Sequence, residues 1–155
     1  MKKGFFEGWY FKMQKGEHTL AAIPGYHRDA DGQEGAFLQL IIDQKSYYFP
    51  YPIQKFSFLQ NPYEIIIDKC IFTKRSASFF LHEKGLCLKG DVGFGPLSEI
   101  DSSRFCPDIM GPFSYLPFLQ CRHGILSMGH TVTGSLSVNG EIIDFTGGTG
   151  YLEMD

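Results

Sequence analysis

The chain has 155 residues, 43% of them hydrophobic, enough for one domain with a core of its own and no need of cross-links. Its net charge is −3 and its Lys and Arg are scattered, which argues against a nucleic-acid partner, since that selects a basic face. Fifteen Phe, eight Tyr and one Trp favour strands and can line an apolar cavity.

Lys2-Lys3 looks like the start of a secretory signal, but Glu7 and Lys12 interrupt the apolar stretch that should follow. No window approaches ~18 uninterrupted apolar residues, so no membrane-spanning helix is expected. Cys70, Cys87, Cys106 and Cys121 show no CxxC and no zinc-type spacing. They read as thiols in a reducing compartment, with two disulfides as the alternative. The expected location is cytoplasmic.

The first predicted strand is 4–14. On it Phe5, Glu7, Trp9, Phe11 and Met13 share one face, because strand side chains alternate with period two. A carboxylate on so apolar a face is costly unless it is paired, protonated or used. A turn at Lys15-Gly16 leads to a short strand at 19–23. The segment YHRDADGQEG, 26–35, reads as a polar loop. Strands follow at 36–42 and 46–49, after which Pro50 and Pro52 bend the chain. Further short strands are predicted at 63–67, 70–73, 78–82 and 86–92. Strands at this even spacing indicate an all-β, antiparallel barrel or sandwich. From Gly93 to Pro117 no period is clear, as in a loop over a cavity mouth or a packed irregular connection; 97–105 has room for a turn or two of helix.

Asn139-Gly140 is a strong type I′ hairpin signal between alternating runs. It pairs Val138 with Glu141, so partners sum to 279 and His130 faces Thr149. His130 lies in the apolar stripe of Leu126, Met128, Val132, Leu136 and Val138. The same register points Tyr151 and Glu153 to the His130 side, with Tyr151 about 7 Å along the strand at ~3.3 Å per residue. A bulge at Gly147-Gly148 would flip everything beyond it.

Familiar catalytic motifs are absent: no GxSxG, GxGxxG, P-loop or HExxH occurs. His123 and His130 are seven apart and point oppositely on a regular strand, which weakens a metal site. Cys121 and His123 share a face, the minimum for a thiol–imidazole pair. What remains is a set of isolated titratable groups on apolar faces: Glu7, His130, Tyr151 and Glu153. Each is either satisfied by a buried hydrogen bond or set in water at the barrel mouth, or else acts as a proton donor or acceptor in an apolar pocket.

FEGWYFK, with MGPFSYLPFLQCRHGILSMGHTVTGSLSVNGEIIDFTGGTGYLEMD, resembles the tocopherol cyclase family. The shared series is Gly-Pro-Phe-Ser-Tyr, Ser-Met-x-His, the Asn-Gly turn and the Gly-Gly-x-Gly-Tyr ending. The resemblance covers the family's N-terminal half. It implies a lipocalin-like barrel and a partner in the form of a C-terminal half or a second copy. Gln120 and Met154 depart from the family's expected Glu and Lys. The implied activity is cyclisation of a prenylated hydroquinone to a chromanol, without redox cofactor or metal. The alkene is protonated and the tertiary cation is trapped by the phenol oxygen. Such chemistry needs a greasy tunnel, a positioned acid and aromatic faces near the cation. Candidate catalytic residues are then Glu7 as acid, His130 or Tyr151 at the phenol, and Glu153. Candidate ligand contacts are Phe5, Trp9, Phe11, Phe113, Tyr115 and Met128. The expected partner is a hydrophobic small molecule, with peripheral membrane contact where such molecules dissolve. The alternative is a binding module for an isoprenoid or lipid that carries out no turnover.

Overall fold

A computed structural model describes residues 4–96 and 124–154. They form twelve antiparallel strands: β1 (Phe5–Lys15), β2 (His18–Arg28), β3 (Glu34–Ile42), β4 (Lys45–Pro52), β5 (Phe56–Gln60), β6 (Tyr63–Ile67), β7 (Cys70–Thr73), β8 (Ser76–Glu83), β9 (Leu86–Phe94), β10 (Gly124–Val138), β11 (Glu141–Asp144) and β12 (Gly148–Met154). Eleven follow the order β4-β3-β2-β1-β12-β10-β9-β8-β7-β6-β5, and β11 pairs with β10 beside them. The sheet curls into a nearly closed barrel, consistent with the lipocalin-like class. Its two edges, β4 and β5, are joined by a 3-10 turn at Ile53–Lys55. Where β4 meets that seam it carries Pro50 and Pro52, residues tolerated on an edge because they lack an N–H to pair.

The alternation read from β1 holds. Trp9, Phe11 and Met13 are buried together with Leu20, Leu38, Leu40, Phe49, Ile65, Phe72, Leu88, Val132 and Leu152 in one core. Lys12 and Tyr10 fall between them on the opposite face. Asn139 (φ 51°) and Gly140 (φ 86°) both have positive φ, as a type I′ turn requires, and Val138 pairs with Glu141.

Several sequence expectations are corrected. The loop expected at 26–35 is shorter, because β2 runs to Arg28 and β3 begins at Glu34. The strand expected at 19–23 runs on through Pro24 and Gly25; the β1–β2 ladder merely lapses between Gly8↔Gly25 and Phe11↔Ala22. Pro50 lies within β4, which runs on to Pro52 before the chain turns at Ile53–Lys55. β5 was not foreseen. The segment 97–105 and most of 93–117 lie outside the described residues.

The far register of β10 is also corrected. Near the turn partners sum to 279, as in Ser135↔Asp144, but His130 pairs with Gly150 and Thr131 with Thr149. One residue has been added around Gly147 (φ 86°), so β12 is flipped relative to the simple register. A second shift at Gly129 restores Met128↔Tyr151. As a result Leu152 turns inward and is fully buried, while Tyr151 and Glu153 turn outward beside Tyr10. They do not share His130's side of the sheet.

Candidate functional site

The β1–β2 hairpin positions the best-built polar pair. Lys15 pairs with His18 across a turn containing Gly16 (φ 58°), so partners sum to 33 and Glu7 falls opposite Tyr26. Cross-strand partners share a face. Tyr26 Oη donates to Glu7 Oε2 at 2.6 Å. Burial first, then the hydrogen bond to Glu7 and its charge, push the Tyr26 phenol up to about 12, with Arg28 opposing and Glu34 adding. Tyr26 therefore keeps its proton at neutral pH and serves as the donor. Of the three ways to sustain a carboxylate on an apolar face, Glu7 is paired.

Aromatic rings surround this pair from three strands, β1, β5 and β6. Tyr26 lies 5.7 Å from Phe5 and 5.0 Å from Phe56. Trp9, fully buried, lies 4.7 Å from Phe58, 5.9 Å from Phe56 and 6.5 Å from Tyr26. Tyr63 meets Phe58 edge-on at 5.3 Å. Because β1 and β2 are not sheet neighbours of β5 and β6, these contacts cross the barrel interior. Burial pushes the Tyr63 phenol up to about 12; the Trp9 indole N–H pulls it down and the Glu7 charge raises it. Glu7, Tyr26, Trp9 and Tyr63 are thus one polar cluster walled by rings.

Further along β1 the interior is occupied by side chains. Phe11 packs 5.1 Å from Phe72 and 6.4 Å from Phe94, and Phe72 meets Phe79 edge-on at 5.4 Å. Phe11 is thus a core residue, away from the Glu7 end. A depression of about 710 Å³ lies at the other end of β1, among the turn residues Glu17, His18, Asp43, Lys45, Asn139 and Glu141.

The sequence-predicted catalytic set is not brought together. His130 pairs with Gly150, which pairs with Met13, six residues and about 20 Å along β1 from Glu7. Its ring is 3% exposed, 4.8 Å from Phe94, and its Nε2 lies over Gly150, where a Cβ would have no room. On the outer face Tyr151 Oη donates to Glu153 Oε2 at 2.9 Å, and the Tyr10 ring meets Tyr151 edge-on at 6.0 Å. Of the candidate ligand contacts, Phe5 and Trp9 belong to the Glu7 cluster. Phe113, Tyr115, Cys121 and His123 lie outside the described residues, and Met128 is described by its backbone alone.

Burial lowers the His130 pKa from its ordinary 6.5. The folded state then resists protonation that the unfolded chain accepts. His130 contributes stability above pH 6.5 that is lost as pH falls through its lowered folded value. Urea unfolding below pH 6.5 should show a decline in stability that is shallower in His130→Gln. Equal slopes in the two proteins would refute the buried neutral imidazole.

Cys70 and Cys87 are free thiols. Burial pushes the Cys70 thiol up to about 11, which makes it a poor nucleophile. Among the described residues no group of three His, Cys, Asp or Glu could hold a metal ion. No described helix is long and apolar enough to cross a membrane.

Sequence reasoning missed Tyr26, Tyr63, Phe56 and Phe58. For Tyr26 the signal was present: the register arithmetic applied at Asn139-Gly140, applied at Gly16, selects it as the partner of Glu7. No protein-family model matches the chain, and no curated protein matches it by sequence.

Proposed function

We propose that the barrel binds a prenylated hydroquinone or related isoprenoid at the Glu7–Tyr26 cluster and acts as a tocopherol-cyclase-like isomerase. The observation that carries this reading is the 2.6 Å Tyr26–Glu7 hydrogen bond set among Phe5, Trp9, Phe56 and Phe58. The acid form of Glu7, protonated on Oε1 while Tyr26 holds Oε2, gives its proton to the alkene. Tyr26 stabilises the carboxylate left behind, since a hydrogen bond to the charged form favours it. The rings face the tertiary cation. The substrate's phenol oxygen closes the C–O bond, and its proton returns to Glu7, so the reaction is a net isomerisation. Contact with membranes follows from where such substrates dissolve.

A second reading is a binding module without turnover. It needs only the ring-walled cluster and no proton transfer from Glu7; in either reading the ligand is short-tailed, because Phe11, Phe72, Phe79 and Phe94 fill the barrel further along. Trp9 is the single tryptophan and lies in the cluster, so its emission tests both readings. A detergent-dispersed prenyl hydroquinone should quench Trp9 saturably at low micromolar concentration. Chromanol formation then separates isomerase from binder. No quenching in a folded chain would overturn both.

A further inference from the structure

Two donors in the cluster lack an acceptor among the described residues. Trp9 Nε1 and Tyr63 Oη are shielded from solvent, and neither completes a hydrogen bond among the described residues. Buried tryptophan N–H and tyrosine O–H groups normally find acceptors, and those that do not call for an explanation. The two rings are neighbours, since both meet Phe58, at 4.7 and 5.3 Å. Glu7, the nearby acceptor, takes its hydrogen bond from Tyr26 instead.

We propose that Tyr63, backed by the Trp9 N–H, is the polar end of the ligand site and donates to an oxygen acceptor on the ligand. This rests on the reading of the cluster as a ligand site and narrows its ligand class. The occupant is an apolar molecule bearing a carbonyl or hydroxyl oxygen, not a bare hydrocarbon. Such a site discriminates, because a ligand lacking the oxygen leaves the buried donors unpaired. Access is through β5. The Phe58 ring lies tilted against Trp9 and meets Tyr63 edge-on, and it rides on a five-residue strand that, among the described residues, pairs only with β6. Neighbouring Leu59 is 51% exposed. An edge strand of this kind yields more readily than the strands within the sheet.

The test compares a short-chain prenyl benzoquinone, whose oxygens only accept, with a prenyl hydrocarbon of equal length. Affinities are measured calorimetrically, because a quinone quenches indole emission directly. Wild-type protein should prefer the quinone by about tenfold or more. Tyr63→Phe should abolish that preference through a loss of quinone affinity. The infrared carbonyl band of the bound quinone should shift to lower frequency in wild type and return in Tyr63→Phe. Equal affinities in wild type, or a preference that survives Tyr63→Phe, would overturn the donor role while leaving an apolar site standing. Binding of neither probe to the folded chain would remove the site and this role together. If Tyr63→Phe does not fold, the wild-type band decides: an unshifted carbonyl overturns the proposal.

Discussion

Replacing Glu7 by glutamine should reduce chromanol formation from a prenyl hydroquinone by about 10²- to 10⁴-fold, the usual worth of a positioned general acid. The substitution keeps shape and an acceptor oxygen, so the Tyr26 O–H retains a partner and folding should be little changed. Ligand affinity should also persist, because the rings around the site are untouched. Tyr26→Phe should cost less, about tenfold, since it removes only the group stabilising the carboxylate. The measurement is chromatographic detection of the chromanol alongside a binding titration. Turnover lost with binding kept assigns the acid. Turnover retained in Glu7→Gln removes Glu7 from the chemistry, and a variant that does not fold makes Glu7 a structural residue.

Trp9→Ala should lower the unfolding free energy by about 3–5 kcal/mol, the range for removing a large aromatic from a core. Trp9 is fully buried and touches rings from β2 and β5, so its removal opens a cavity between two walls of the barrel that no backbone ladder joins. Phenylalanine at this position keeps much of the contact and should cost markedly less. Urea denaturation followed by far-ultraviolet circular dichroism measures both without needing the indole signal. A loss below about 1 kcal/mol for Trp9→Ala would show that the walls are not packed through this residue.

The local geometry of strands was legible from the sequence, and their long-range placement was not. Alternation in FEGWYFKM assigned the inward face of β1 correctly, because a half-buried strand writes its burial with period two. The Asn139-Gly140 dipeptide disclosed its turn for an equally local reason: both residues need positive φ. The simple register failed where glycine permitted an inserted residue, at the Gly147-Gly148 pair already singled out as a place for a bulge. The shift near Gly147 adds no distinctive side chain, yet it moved Tyr151 and Glu153 to the opposite face from His130. β5 was missed because FSFLQ is short, sits at a sheet edge and buries only part of each ring. Tyr63 was placed on a strand from sequence, but its meeting with Trp9 depends on the barrel curling back on itself. No spacing between Trp9 and Tyr63 encodes that curvature.

β1 lies near the middle of the sheet, paired on one side with β2 and on the other with β12. The first pairing is a hairpin, whereas the second joins Trp9 to Met154 across almost the whole chain. The two meanders, β1 to β4 and β5 to β9, can therefore form from local contacts, while their union must await a closure of very high contact order. Search over so long a loop slows folding. Until β12 docks, β1 presents an unpaired edge with its aromatic face uncovered, the kind of surface that nucleates aggregation. Refolding yield should consequently depend on protein concentration more steeply than native stability would suggest.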